Sequence, residues 1–255
     1  MLSPQALIKG LVSRALPLKN PDGINVDAAF RQYSYGEAVT MPLVRKAHTL
    51  ADEGTYFTVN NAQTGSTLST TAGLTTTTPF LLIENGASLG GPNLYVDYLA
   101  AVCTAAGSAA SGLTVIQATV VIDNTLRFSS GGTLLTPVSP NMFLGTAKSN
   151  AIIYVVPTAT AASGLARTVC GLRTLRPTVS ATVAAVVGDM HTLNCGGVEG
   201  GTQGNITVAN ANLTTQPLPP IVIGPQQSAL FYIYYAAGTT IVAGSYAPEA
   251  GWWER

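Results

Sequence analysis

Charge is what this sequence has least of. Of 255 residues, 12 are basic and 12 acidic, so 9% are charged and the formal net charge is zero. Globular proteins carry about a quarter. A balanced, sparsely charged chain has no global field to draw it to nucleic acid or anionic lipid, and neither is expected as a partner. A surface this short of charge limits the solubility of a free monomer. The expectation is a surface covered by other subunits.

Histidine and cysteine are nearly as scarce. His48 and His191 are the only histidines, too few for much general acid–base machinery. Cys103, Cys170 and Cys195 are odd in number, far apart and form no CxxC pair, so they read as small buried hydrophobes and not as a disulfide framework. No run approaches roughly 18 uninterrupted apolar residues, so no transmembrane helix is expected.

Chemical motifs are missing too. No Gly-x-Ser-x-Gly elbow accompanies Asp189 and His191. His191 and Cys195 would share a helix face, but Met190–Leu193 reads as strand, where residues four apart stand about 13 Å from one another. One metal cannot bridge that gap. Gly196, Gly197, Gly200, Gly201 and Gly204 lack the Lys-Ser/Thr ending and the following helix of a phosphate loop. Asn205-Ile206-Thr207 and Asn212-Leu213-Thr214 match the N-glycosylation pattern by chance. No catalytic residue, cofactor or metal is expected, and the chain is read as a non-enzyme.

What is present is β texture. In Pro217–Tyr235 the apolar runs Ile221–Ile223 and Ala229–Tyr235 flank a Gly224-Pro225 turn. The second run is aromatic and β-branched and has strand length. Alternation assigns Phe231, Ile233 and Tyr235 to an inward face. Asn85-Gly86 is a strong hairpin signal, and Leu113–Asp123 is read as pairing with Leu126–Phe128 across Asn124-Thr125. Turn signals recur every 8–15 residues, and eight to ten strands are expected, with 113–123, 152–156 and 229–235 in the core. The fold class is all-β, an antiparallel β-sandwich of jelly-roll type.

Residues 1–54 hold 11 charged side chains and the remaining 201 hold 13, which places a boundary near Gly54. The division is an attachment arm over 1–54 and a β-sandwich domain over 55–255. In Met1–Asn20, Lys9, Arg14 and Lys19 meet no acid, and Leu7, Ile8, Leu11 and Val12 fall at helical spacing. They read as a short amphipathic helix docking on a neighbouring chain, with a mitochondrial transit peptide as the other reading. Arg167, Arg173 and Arg176 form the basic cluster of the β part. They are assigned to a subunit salt bridge, with Glu249 and Glu254 as candidate partners. Trp252-Trp253 is read as an aromatic interface or a glycan platform.

With these residues laid out, the chain from Gly54 onward resembles virion structural proteins of tailed bacteriophages. The similarity includes Ser129–Thr136 with its Pro137–Met142 continuation, Pro219–Ser228 and Gly251–Arg255. The style is that of jelly-roll cement or decoration proteins. The resemblance implies a homotrimer on the capsid surface of a virion, made in the host cytoplasm. It would stabilise the phage head through subunit contacts, with the major capsid protein as partner and the arm gripping the shell beneath. A carbohydrate-binding or host-attachment module of a phage tail is the first alternative, and a jelly-roll capsid protein the second.

Overall fold

The computed structural model describes residues 46–61, 64–68, 73–105, 116–142, 148–176, 187–196, 204–208, 211–236 and 244–255. A compact unit spans Ala47–Arg255, and the unit before it, Met1–Lys46, lies almost wholly outside the described residues. The expected arm contacts at Leu7, Ile8, Leu11 and Val12 lie outside them as well.

One short helix, α1 (Lys46–Asp52), precedes the strands. Gly54 ends it at φ 75°, with its N–H on the Ala51 carbonyl at 3.1 Å; glycine supplies that left-handed turn without a Cβ clash. Asn141 ties the helix down by donating from Nδ2 to the Ala51 carbonyl at 3.2 Å.

Two packed sheets and a separate two-stranded one make up the rest of the described elements. The first runs β1 (Tyr56–Asn60), β16 (Ser245–Glu254), β4 (Leu94–Ala105), β11 (Met190–Cys195), β13 (Ala211–Leu218), β12 (Gly204–Val208), with β14 (Ile221–Ile223) also on β4 and β2 (Ser66–Thr67) on β16. The second runs β10 (Arg167–Arg176), β5 (Ile116–Asp123), β15 (Ser228–Tyr235), β3 (Leu81–Asn85), β8 (Ala151–Val155), β7 (Thr133–Leu135). Eight of these strands form a jelly roll: β1-β16-β4-β11 against β3-β15-β5-β10, with the chain passing from one sheet to the other at most connections. Strands β7 and β8 widen the second sheet; β12 and β13 widen the first, where β11 and β13 run parallel. The sandwich is laced at both edges. Thr58 and Val138 exchange backbone bonds of 2.9 Å each, and Gln216 donates from Nε2 to the Thr174 carbonyl at 2.8 Å.

Alternation explains the core. Phe57, Leu94, Val96 and Trp252 point in from the first sheet, and Leu81, Val120, Phe231, Ile233 and Tyr235 from the second. The inward assignment of Phe231, Ile233 and Tyr235 holds. Ile233 is 7% exposed. An Ile233→Asp chain, which buries an unpaired carboxylate between the sheets, should lose at least about 3 kcal/mol of unfolding free energy by urea titration. An unchanged midpoint would disprove the facing.

Two expected turns differ. Asn85-Gly86 makes no hairpin, because β3 and β4 belong to different sheets. The Asn85 amide is fully buried instead: its Nδ2 donates to Pro92 O at 2.9 Å and Ile223 O at 3.0 Å, and its Oδ1 accepts from Ala87 N. The side chain pins two connections at one end of the sandwich and leaves a type I′ turn unused. Nor does Leu126–Phe128 pair with β5. After Asn124-Thr125 the chain turns Arg127 inward, and β6 (Phe128–Ser130) pairs with β9 (Thr158–Ala159). This small sheet covers the outer face of the second one, where Leu82, Leu230 and Tyr232 form a separate apolar cluster. Phe128 stacks on Tyr154 there, centroids 3.9 Å apart.

Candidate functional site

Among the described elements no third layer of strands covers the outer face of the first sheet, and that face is unusual in its residues. Strand β16 ends Gly251-Trp252-Trp253-Glu254, so alternation sends the two indoles opposite ways. Trp252 is 0% exposed and stacks on Phe57 in the core, centroids 6.3 Å apart. Trp253 lies outside, half-buried and parallel to Tyr95 at 5.5 Å with 3° between the planes. Register then builds a row across four strands: Val222 opposite Tyr95, Tyr95 opposite Trp253, Trp253 opposite Tyr56. Cross-strand pairs of this kind are the unit of sheet stabilisation.

Beside the row sits a second group. Tyr56 Oη donates to Asp97 Oδ2 at 2.9 Å. A Cβ at position 251 would lie 2.4 Å from Tyr98 Cε1 and 2.6 Å from Tyr56 Oη. Glycine at 251 therefore lets both tyrosines fold over the strand, and any side chain there would displace them. Burial first, then the nearby charges of Glu249 and Asp97, push the Tyr98 phenol up from its ordinary value. Burial and then Asp97 do the same for Tyr56, more strongly. Both phenols thus stay protonated donors at physiological pH. Glu249 continues the face toward Asn60, its register partner, and with Asn61 and Thr104 they line a shallow depression of about 310 Å³. Neither Asp97 nor Glu249 is paired with a cation among the described residues.

A second polar group, centred on the buried Arg127, Asp123 and Glu84, belongs to the second sheet and its connections. Arg127 is 1% exposed; its Nη1 meets Asp123 Oδ2 at 2.8 Å, and its Nε and Nη2 donate to the Thr160 carbonyl. Glu84 Oε1 accepts the backbone N–H groups of Arg127 and Phe128 at 2.6 and 2.7 Å. Ser163 donates to Asp123 from both its N–H and its hydroxyl. Internally paired around a buried arginine, this network fastens the β5–β10 connection to β3.

No family model, curated protein or solved structure matches this chain. Its own residues must carry the reading. His191 and Cys195 lie buried on β11 and face inward together, as the strand reading of that segment requires. Burial, then Asp97 and Cys170, push the Cys195 thiol up to about 12, a protonated and unreactive state. No cluster of three or more His, Cys, Asp or Glu stands in metal-binding range among the described residues. Glu254 is buried and accepts from Ser149 Oγ and from Asn150, whose N–H and Nδ2 lie at 2.9 and 2.6 Å. It is spent inside the chain, which leaves Glu249 of the two proposed partners for the arginines. Reading the sequence missed Tyr95, Asp97 and Tyr98. The alternation of β4 would have exposed Tyr95 and Asp97 on one face, but only register brings Trp253 and Tyr56 to them.

Proposed function

We propose that this chain is a structural subunit that works through subunit contacts made by the outer face of its first sheet. Tyr95 and Trp253 with Val222, backed by the buried Tyr56, carry the reading. Interfaces are enriched in Tyr and Trp and depleted in charge at their centres, and binding hot spots favour the same aromatics. The jelly-roll topology and the chain's few charges accord with the same role. A capsid-stabilising protein on a virion surface, a homotrimer seated on the major capsid protein, is the specific form of this proposal. It rests further on the resemblance to phage cement and decoration proteins.

Sedimentation velocity on the full chain tests it. The native protein is expected to associate, and Trp253→Ala and Tyr95→Ala to weaken association by roughly tenfold or more, since truncated hot spots cost about 2 kcal/mol each. Circular dichroism should leave both variants folded. A native chain that stays monomeric at every attainable concentration, while these substitutions abolish retention on a glycan column, would replace assembly with carbohydrate binding.

A further inference from the structure

Among the described residues the outer face of the first sheet holds two carboxylates without a cation, Asp97 with Tyr56 as its donor, and elsewhere the sandwich holds cations without a carboxylate. Arg167 and Arg173 stand exposed on β10, an edge strand of the second sheet among the described residues, where they make no ion pair and Arg173 reaches the Cys170 thiol of its own strand. Leu165 and Leu172 flank them, 63% and 62% exposed. Asp97 and Glu249, with Trp253, Tyr95 and Tyr98, are what such an edge fits. Carboxylates take guanidinium groups in directed, charge-assisted hydrogen bonds, Tyr and Trp faces attract them, and leucines fill the apolar spaces between. Within one chain the two surfaces belong to different sheets and do not meet.

We infer that the Tyr/Trp/carboxylate face of one copy receives the Arg167–Arg173 edge of a second copy. This rests on the reading of the chain as a self-associating subunit and names the contact that does it. Strand addition along β10 is discouraged. Its pairing with β5 shifts register at three places, and Leu172 sits at φ 39°. Such bulges twist an edge away from sheet extension, so the contact is made by side chains. Face to edge is a heterologous contact, which closes into a ring when the rotation it imposes divides a full turn. A trimer is one such ring.

Charge reversal in the full chain tests the contact, with sedimentation velocity as the readout. Glu249 and Arg173 both reach the surface, so Glu249→Arg and Arg173→Glu should leave the circular dichroism spectrum unchanged. Each alone should weaken association by roughly tenfold or more. The double variant E249R/R173E, which restores the 249–173 pair with the charges exchanged, should recover most of it. Glu249→Gln serves as a milder second variant and should fall between native and Glu249→Arg. A native chain that associates while both reversals leave it unaffected overturns the assigned contact and leaves the structural-subunit reading standing. Loss in both singles without recovery in the double also overturns it, since the two residues then act apart. A native chain that never associates overturns the reading and this inference together.

Discussion

An Arg127→Ala chain should lose about 3–5 kcal/mol of unfolding free energy, the usual effect of removing one partner from a buried ion pair. The guanidinium is enclosed, meets Asp123 at 2.8 Å, and holds the Thr160 carbonyl through two nitrogens. Truncation leaves the Asp123 carboxylate buried with only Ser163 and Thr125 as donors, and it leaves the Thr160 carbonyl short of its side-chain partners. Urea titration at neutral pH measures the loss. A change below about 1 kcal/mol would mean that water or relaxation replaces the arginine without penalty.

The same network sets an acid limit. Burial alone would raise the Asp123 carboxyl, but hydrogen bonds from Ser163 and then the Arg127 guanidinium outweigh it and hold the group below its ordinary value. A group depressed on folding stabilises the native state fully above its unfolded value, near 4. That contribution disappears as pH falls through the lower folded value. In Arg127→Ala one of the opposing effects is gone, so acid unfolding should begin at a higher pH than in the native chain. Unfolding curves at stepped pH would reveal the displacement.

Trp252→Ala is the second large effect, about 3–5 kcal/mol for a buried indole truncated to a methyl group. Trp252 has no exposed surface, belongs to the inter-sheet core and stacks on Phe57. Its Nε1 also donates to Glu254 Oε1 at 3.4 Å, so the cavity opens beside a carboxylate that needs its donors. Trp253→Ala removes the same side chain one residue on, from a half-buried position on Tyr95, and should cost about 1 kcal/mol. Guanidinium titrations of the two variants compare them directly. Equal losses would show that the outer row supports the fold as much as the core does.

That pair of tryptophans also marks what was legible in the residues themselves. The all-β class, the inward set Phe231, Ile233 and Tyr235, and the strand character of Met190–Leu193 follow from alternation, a local property with a period of two residues. Alternation also requires adjacent tryptophans on one strand to part company. It does not say which of them meets the core. That depends on register, and the β4–β16 ladder carries a bulge at Gly251/Trp252. Partner choice is likewise outside local reach. Asn85-Gly86 has the residues of a hairpin, but β3 finds β15 and β8 and its asparagine is drawn into the loops. Asn124-Thr125 stands before an arginine whose partners at 84, 123 and 160 no periodicity connects. The face built from Tyr56, Tyr95, Asp97, Tyr98, Glu249 and Trp253 joins three strands up to two hundred residues apart in sequence. Hydrophobic alternation therefore determined the layers, while strand pairing across the whole chain, and the burial it enforces, decided which side chains share a surface.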